Sequence, residues 1–246
     1  MRAALGFLTQ LRVGTSSTPP GPAALVVFPL IGGLLGLVWL VAGTAGTAIG
    51  GQLVGAGLVL AVDLLVTGGM HLDAVGDVAD GVASRLPPFE AQTVMREPQI
   101  GAVGAATLGT TLIVRFALIA AALSVPATLV AAPAAGRAAM VWALGRLPEA
   151  PGSIGTALAP LAVPAVRAAA VALVAVVAAT ALALSGQPPA RLVTGGLVAA
   201  TAAVIISELS ARWWARRFGF LSGDAIGAIG IAVELVVLTA LLVLAA

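Results

Sequence analysis

Seven apolar stretches constrain this chain before anything else does. A run near ~20 residues with hardly a charge can satisfy its backbone in lipid only as a helix. The stretches run from about Ala23 to Ala45, Gly51 to Thr67, Gly101 to Leu123, Val125 to Trp142, Val163 to Leu184, Arg191 to Leu209 and Ala225 to Ala246. Only 9% of residues are charged against 60% hydrophobic, where soluble domains carry about 25% charged. The expected fold class is therefore all-α: a polytopic transmembrane helical bundle of about seven spans, forming one integral-membrane domain over residues 1–246. The lipid bilayer is its first expected partner.

Charge placement orients the spans. All twelve basic residues are arginine. With the N-terminus inside, Arg2, Arg12, Arg85, Arg96, Arg146, Arg167, Arg212, Arg216 and Arg217 fall on the cytoplasmic side, and Arg191 outside. Arg115 and Arg137 lie within or beside spans. This asymmetry follows the positive-inside rule and predicts a cytoplasmic N-terminus and a periplasmic C-terminus. A net charge of +2 is no nucleic-acid signature, and none is expected as a partner. The absence of cysteine excludes disulfides, thiolate metal sites and cysteine nucleophiles. Residues 1–20 read as a short interfacial helix and a Ser/Thr/Pro turn, without the long apolar core of a cleaved signal peptide.

One stretch is too polar to span. Residues 68–100 hold five of the ten acidic residues, and Thr67–Arg85, TGGMHLDAVGDVADGVASR, carries Asp73, Asp77 and Asp80. Their i, i+4, i+7 spacing puts all three within roughly a 60° arc of a helix. Val75, Val78 and Val82 fall on the opposite side, giving one acidic and one apolar stripe. Three like charges on one face repel unless a cation lies between them, and hard oxygen ligands suit Mg²⁺ or Mn²⁺. A solvated acidic face is the plainer reading. In a chain this poor in acid, within a cytoplasmic loop, a metal site at Asp73, Asp77 and Asp80 is the better one.

Other polar residues gather around it. His71, the only histidine, precedes the acidic face and could meet a phosphate or cap the turn. Gly81 could admit a ligand or a packed backbone. Arg85 and Arg96 are interfacial arginines or anion clamps. Gly223-Asp224 opens the last span, where Asp224 is an N-cap or a catalytic carboxylate. Glu234 lies deep in that span, where a carboxylate is costly and usually faces the bundle interior; Asp63, Arg115 and Glu208 raise the same question, and some of these should pair. Gly32-x-x-x-Gly36 and Gly51-x-x-x-Gly55 read as helix packing.

The runs TGGMHLDAVGDVADG, MREPQIGAVGA and GDAIGA, with FLTQLRV and FPLIGGLLG before them, resemble the cobalamin synthase family, the adenosylcobinamide-GDP ribazoletransferases. The blocks occur in the family's order over residues 7–240. The resemblance implies a Mg²⁺-dependent transfer joining adenosylcobinamide-GDP to α-ribazole or its phosphate, with release of GMP. It further implies Asp73, Asp77, Asp80 and Asp224 as catalytic residues, the first three holding the metal, and His71, Gly81, Arg85, Arg96, Gly223 and Glu234 as substrate-binding. The site would face the cytoplasm from the inner membrane, and the pattern leaves room for an oligomer. The chain departs from the family pattern at Leu86-Pro87-Pro88-Phe89, at Gln99, at Ile231 and around Leu147–Gly155. Asp77-x-x-Asp80-Gly81 also resembles part of the CDP-alcohol phosphotransferase motif, without its second aspartate pair. From another class, an ion-coupled transporter would line its pathway with Asp63, Arg115, Glu208 and Glu234.

Overall fold

The computed structural model describes residues 1–11, 21–150 and 155–245; Arg12 and most of the Ser/Thr/Pro turn lie outside them. The helices are α1 (Arg2–Leu8), α2 (Pro22–Val26), α3 (Phe28–Thr67), α4 (Met70–Ala83), α5 (Pro88–Met95), α6 (Ala102–Ala122), α7 (Ala127–Ala143), α8 (Gly155–Leu158), α9 (Pro164–Leu184), α10 (Pro189–Arg217) and α11 (Gly223–Ala245). Among the described residues no strand forms beyond an isolated parallel bridge between Glu149 and Leu221.

Five helices, α3, α6, α9, α10 and α11, are long and apolar enough to cross a membrane, and α7 is a shorter apolar helix. The protein is an all-α, multi-pass membrane protein. Its longest helix doubles back. Gly50 and Gly51 leave helical geometry inside α3, and Gly51 takes φ +82°, a conformation that glycine alone adopts freely. A Cβ on Gly46 would sit 2.7 Å from Gly55 Cα, one on Gly43 would meet Val59, and Trp39 hydrogen-bonds Asp63. Those pairings run in opposite directions along the chain, so limbs 28–49 and 52–67 form an antiparallel hairpin. Gly55 is a packing glycine, as read from the sequence, whereas Gly51 is the turn.

Small residues explain what lies at the centre. Every residue of α7 except Trp142 is buried. Its alanines let neighbours approach its backbone, which is how lipid-embedded helices gain contact without a hydrophobic drive. Gly32 and Gly36 of α3 press on the α7 backbone at Pro133 and at Leu129–Val130, and Gly136 of α7 meets the Gly230 carbonyl of α11. A side chain at any of these would need the backbones to part.

Some boundaries differ from the sequence reading. The first apolar stretch does not begin one helix at Ala23: α2 ends at a turn at Val27, and α3 starts with Pro29 in its first turn. At the other end α10 continues past Leu209 to Arg217, and its 29 residues span about 43 Å at 1.5 Å each, more than the ~30 Å hydrocarbon core. Its last turns carry Arg212, Arg216 and Arg217, which are free to reach water.

A chain of buried charges ties the bundle together. Arg115 of α6 donates from Nη1 to Asp63 Oδ2 at 2.7 Å and from Nε to Glu234 Oε1 at 2.8 Å. Arg137 of α7 donates to Glu234 Oε2 at 3.0 Å, and Trp39 Nε1 to Asp63 Oδ1 at 3.0 Å. The Arg115 guanidinium also lies 4.7 Å from the Trp39 ring centroid. Two acids and two bases neutralise one another, all with 4% side-chain exposure or less. The sequence reading expected some of Asp63, Arg115, Glu208 and Glu234 to pair with one another; Arg115 does pair with Asp63 and Glu234, whereas Glu208 pairs with Arg146 instead. Arg115→Met would leave both carboxylates short of a partner. The expected cost is about 3–5 kcal/mol of stability, the usual penalty for breaking a buried pair, whereas Trp39→Phe should cost about 1 kcal/mol for one lost hydrogen bond. Thermal unfolding in detergent measures both, and equal, small shifts would contradict the ordering.

Candidate active site

The acidic helix is launched by two glycines. Gly68 and Gly69 both take left-handed backbone, φ +68° and +70°, where other residues are strained. The Gly68 N–H closes α3 on the Leu64 carbonyl, and Gly69 opens α4. The Gly-Gly pair thus turns the chain from a membrane helix into one that carries aspartates. The other end of α4 closes on Arg85, the one non-glycine residue with positive φ among those described.

Asp73 is exposed, and Asp77 and Asp80 are half-buried on the same side of α4. Val75, Val78 and Val82 instead line an apolar groove with residues of α6 and α11, so the amphipathic reading holds. Asp80 has a partner the sequence did not reveal. Its Oδ2 accepts the Gly101 N–H at 2.6 Å and its Oδ1 the Gly104 N–H at 2.7 Å. Those are backbone donors of the first turn of α6, so Asp80 caps a helix other than its own. A Cβ on Gly101 or Gly104 would collide with the carboxylate, which explains both glycines of the MREPQIGAVGA block. Neither was singled out as functional. The spacing of two glycines around a helix start was the available signal.

Asp224 arrives from α11. Its helix is capped by Ser222, whose Oγ accepts the Ala225 N–H at 3.0 Å, so Asp224 is not the side-chain cap that was the alternative for it. The preceding loop is held from two sides. Leu221 exchanges backbone hydrogen bonds with Pro148 and Ala150 at 2.9 and 2.7 Å. On the other side, Phe220 stacks on Phe89 at 5.4 Å, and Arg217 donates to the Leu86 carbonyl at 3.1 Å. Glu149, within the first clamp, is half-buried, and burial pushes it up to about 7 against a backbone hydrogen bond from Gly145. Sequence analysis had no sign of it.

The four carboxylates feel one another. Asp77 is pushed up to about 6, by burial first and then by the charges of Asp73, Asp224 and Asp80. Arg96 and Asp73 act electrostatically on Asp224 in turn. The structure therefore brings Asp73, Asp80 and Asp224 within electrostatic reach of Asp77, and Arg96 within electrostatic reach of Asp224. Asp73 and Asp77 accept no hydrogen bond from the described residues, and no three His, Asp or Glu side chains among them stand in ready-made metal-binding geometry.

The remaining candidates lie elsewhere. His71 is buried against Gly227 of α11, and burial, with Arg137 and Arg115 behind it, pulls it down to about 3, so it stays neutral. Gly81 is a packing glycine, since a Cβ would strike Met95 of α5. Arg85 is exposed and takes no part in the shifts of Asp77 or Asp224. Glu234 lies in the ion chain with both oxygens on arginines. Gly223 sits beside Asp224 on the wall of a partly open cavity.

Residues 1–242 match the family described as cobalamin-5-phosphate synthase. The chain belongs to that family. Among its relatives, the adenosylcobinamide-GDP ribazoletransferase of Roseiflexus sp. (strain RS-1) is 32% identical over 97% of this chain and 87% of its own length. Proteins of the same name from Desulforamulus reducens and Stutzerimonas stutzeri are 31% and 33% identical, over 95% and 97% of this chain and 92% and 95% of theirs. No solved structure matches.

Asp77 supplies a test of this crowding. Its folded value of about 6 lies above its ordinary 3.8, so the fold disfavours its charged form. Stability falls as pH rises from about 4 through about 6, and the deficit is complete above that. Asp77→Asn should therefore melt higher than the unsubstituted protein at pH 7.5 without divalent cation, with the difference vanishing below pH 4. A variant that melts lower at pH 7.5 would mean the carboxylates do not repel.

Proposed function

We propose that this chain is a membrane-embedded adenosylcobinamide-GDP ribazoletransferase that works at the end of the bundle where α4 meets α11. The observation that carries the reading is the convergence of Asp73, Asp77 and Asp80 with Asp224 and Arg96, in a chain whose curated relatives bear that name. In the reaction a ribazole hydroxyl oxygen forms a bond to the cobinamide-bearing phosphorus of the diphosphate. The bond from that phosphorus to the bridging oxygen breaks, GMP leaves, and the hydroxyl proton goes to a base.

Such a transfer needs positioning and charge neutralisation more than covalent chemistry. Asp224 is the base in this reading, because its side chain is not engaged as a cap and lies beside the other carboxylates. Arg96 meets the negative charge of the diphosphate. The donor set fits a hard divalent cation: carboxylate oxygens only, with Asp77 raised by burial first and then by the neighbouring carboxylates. Asp73 and Asp77 would hold Mg²⁺ through oxygens that accept no hydrogen bond from the described residues, and Asp80 through lone pairs its capping bonds leave. Bound there, Mg²⁺ would neutralise the diphosphate and the leaving GMP.

Two alternatives are less well supported. A CDP-alcohol phosphotransferase would need a second aspartate pair. An ion-coupled transporter would need intramembrane charges available to a pathway, yet Asp63 and Glu234 are saturated by Arg115 and Arg137, and Glu208 pairs with Arg146 and Trp142.

Purified protein in lipid, given adenosylcobinamide-GDP, α-ribazole and Mg²⁺, should release GMP. Asp73→Asn and Asp77→Asn should each slow release by orders of magnitude, about 1.4 kcal/mol of lost stabilisation being tenfold, with partial rescue by higher Mg²⁺ or by Mn²⁺. Asp80→Asn should lose activity and thermal stability together, because it also uncaps α6. Wild-type rates and Mg²⁺ dependence in inserted Asp73 and Asp77 variants would refute the metal site.

The topology follows from the same reading. We place the enzyme in the inner membrane with seven crossings, counting both limbs of α3 and the short α7, and with the site facing the cytoplasm. Arginine asymmetry supports this. Reporter fusions at Pro88 and Ala245 should report opposite sides, and the same side for both would break the arrangement.

A further inference from the structure

Helix α10 carries the membrane boundary on its own surface. Ile205, Leu209, Arg212 and Arg216 follow one another at steps of four, three and four residues, so they share one face. Ile205 and Leu209 are exposed and apolar, as lipid-facing residues are, whereas Arg212 and Arg216 are exposed bases. Trp213, next to Arg212, is 45% exposed, and such amphipathic rings collect at the headgroup level. The change from apolar to charged takes less than one turn and marks the height at which lipid phosphates lie. Two more arginines arrive there from other helices. Gly145 takes φ +70° just after α7 and turns the chain, and Arg146 then reaches α10, where its Nη2 pairs with Glu208 Oε1. That oxygen also accepts the Trp142 Nε1–H at 2.8 Å. Arg167 stands at the start of α9 and donates from Nη1 to the Leu144 carbonyl at 3.3 Å. A cation at the positive end of a helix dipole does nothing for that helix. Arg146 and Glu208 are within electrostatic reach of Arg167, and Arg212 is within reach of Glu208. Three guanidinium groups therefore gather about one carboxylate, which cannot offset them all.

An anion is what such a group lacks, and the planar fork of arginine suits phosphate oxygens. The apolar continuation of the α10 face chooses the source. A soluble phosphate would use the arginines alone, whereas a phospholipid also lays its acyl chains on Ile205 and Leu209. Charge then chooses among phospholipids. Choline and ethanolamine headgroups carry an ammonium that the arginines repel, and a glycerol headgroup carries none. We propose that Arg146, Arg167 and Arg212 form a binding site for the phosphodiester of an anionic glycerophospholipid, whose chains run along Ile205 and Leu209 of α10. Basic sites between membrane helices take anionic headgroups in this way. Glu208 holds Arg146 in place there without neutralising the group. The site stands apart from the transferase reading and requires only that the bundle lies in lipid.

Native mass spectrometry of the purified protein in detergent, titrated with one lipid at a time, counts the lipid retained. Phosphatidylglycerol should bind roughly tenfold tighter than phosphatidylcholine with the same chains, each arginine beside an anionic lipid being worth about fivefold. Arg167→Gln and Arg212→Gln should each weaken phosphatidylglycerol by about that fivefold and leave phosphatidylcholine unchanged. Arg212 is exposed, so its replacement leaves the fold in place, and the comparison of the two lipids needs no variant. Arg191→Gln, an exposed arginine at the far end of α10, should alter neither affinity. Glycerol 3-phosphate, the same anion without chains, should fail to displace the lipid at millimolar concentration. Equal retention of the two lipids, or unchanged affinity in both cluster variants, would overturn the site. An equal loss in Arg191→Gln would overturn it too, by showing only a general attraction of arginine for anionic lipid. Displacement by glycerol 3-phosphate would overturn it in favour of a soluble phosphate.

Discussion

Four buried charges decide how this bundle can be assembled. Arg115 alone bridges a carboxylate on the second limb of α3 and one in the middle of α11, and Arg137 adds α7 to the same chain. Apolar helices in lipid slide and rotate at little cost, because the surrounding tails are as apolar as their own side chains. An ion chain of fixed hydrogen-bond geometry removes that freedom. It sets the rotation of each of the four helices, and with it the direction in which α11 presents Asp224 to α4.

The site stands on that frame, with a second polar device closer to the chemistry. By capping α6, Asp80 makes the acidic helix and the segment carrying Arg96 one unit. Gly101 and Gly104 are bare so that the carboxylate can reach the backbone. One aspartate of the three therefore differs in kind from the others: its oxygens are engaged with backbone amides, while Asp73 and Asp77 face whatever enters.

Sequence reading succeeded where the information was local. Length and apolarity marked the helices, and a spacing of four and three put the aspartates on one side of α4. It missed boundaries where helix and membrane part company. Arginines at 212, 216 and 217 mark where the lipid should end, but α10 keeps winding beyond it. Within one unbroken apolar run, nothing but Pro29 hinted at the turn between α2 and α3. The partners of Asp80 and Glu234 were out of reach for another reason. They lie 21 to 119 residues away in the chain, and no periodicity links positions on different helices. The choice between Ser222 and Asp224 as the cap of α11 was equally closed, since both residue types suit that place two positions apart.

The separation of the charged partners in sequence bears on how the protein is made. Asp63 leaves the ribosome 52 residues ahead of Arg115, about 3–10 s at ordinary elongation rates, and Glu234 follows Arg115 by another 119. A lone carboxylate in mid-bilayer is disfavoured by about 2.5–3.5 kcal/mol. During that interval the hairpin of α3 has its turn and its glycine contacts but no counter-ion. A hairpin that entered lipid in that interval would carry Asp63 with no arginine opposite it until α6 arrived. A chain stalled between the two would expose an acid that only the next helix can cover.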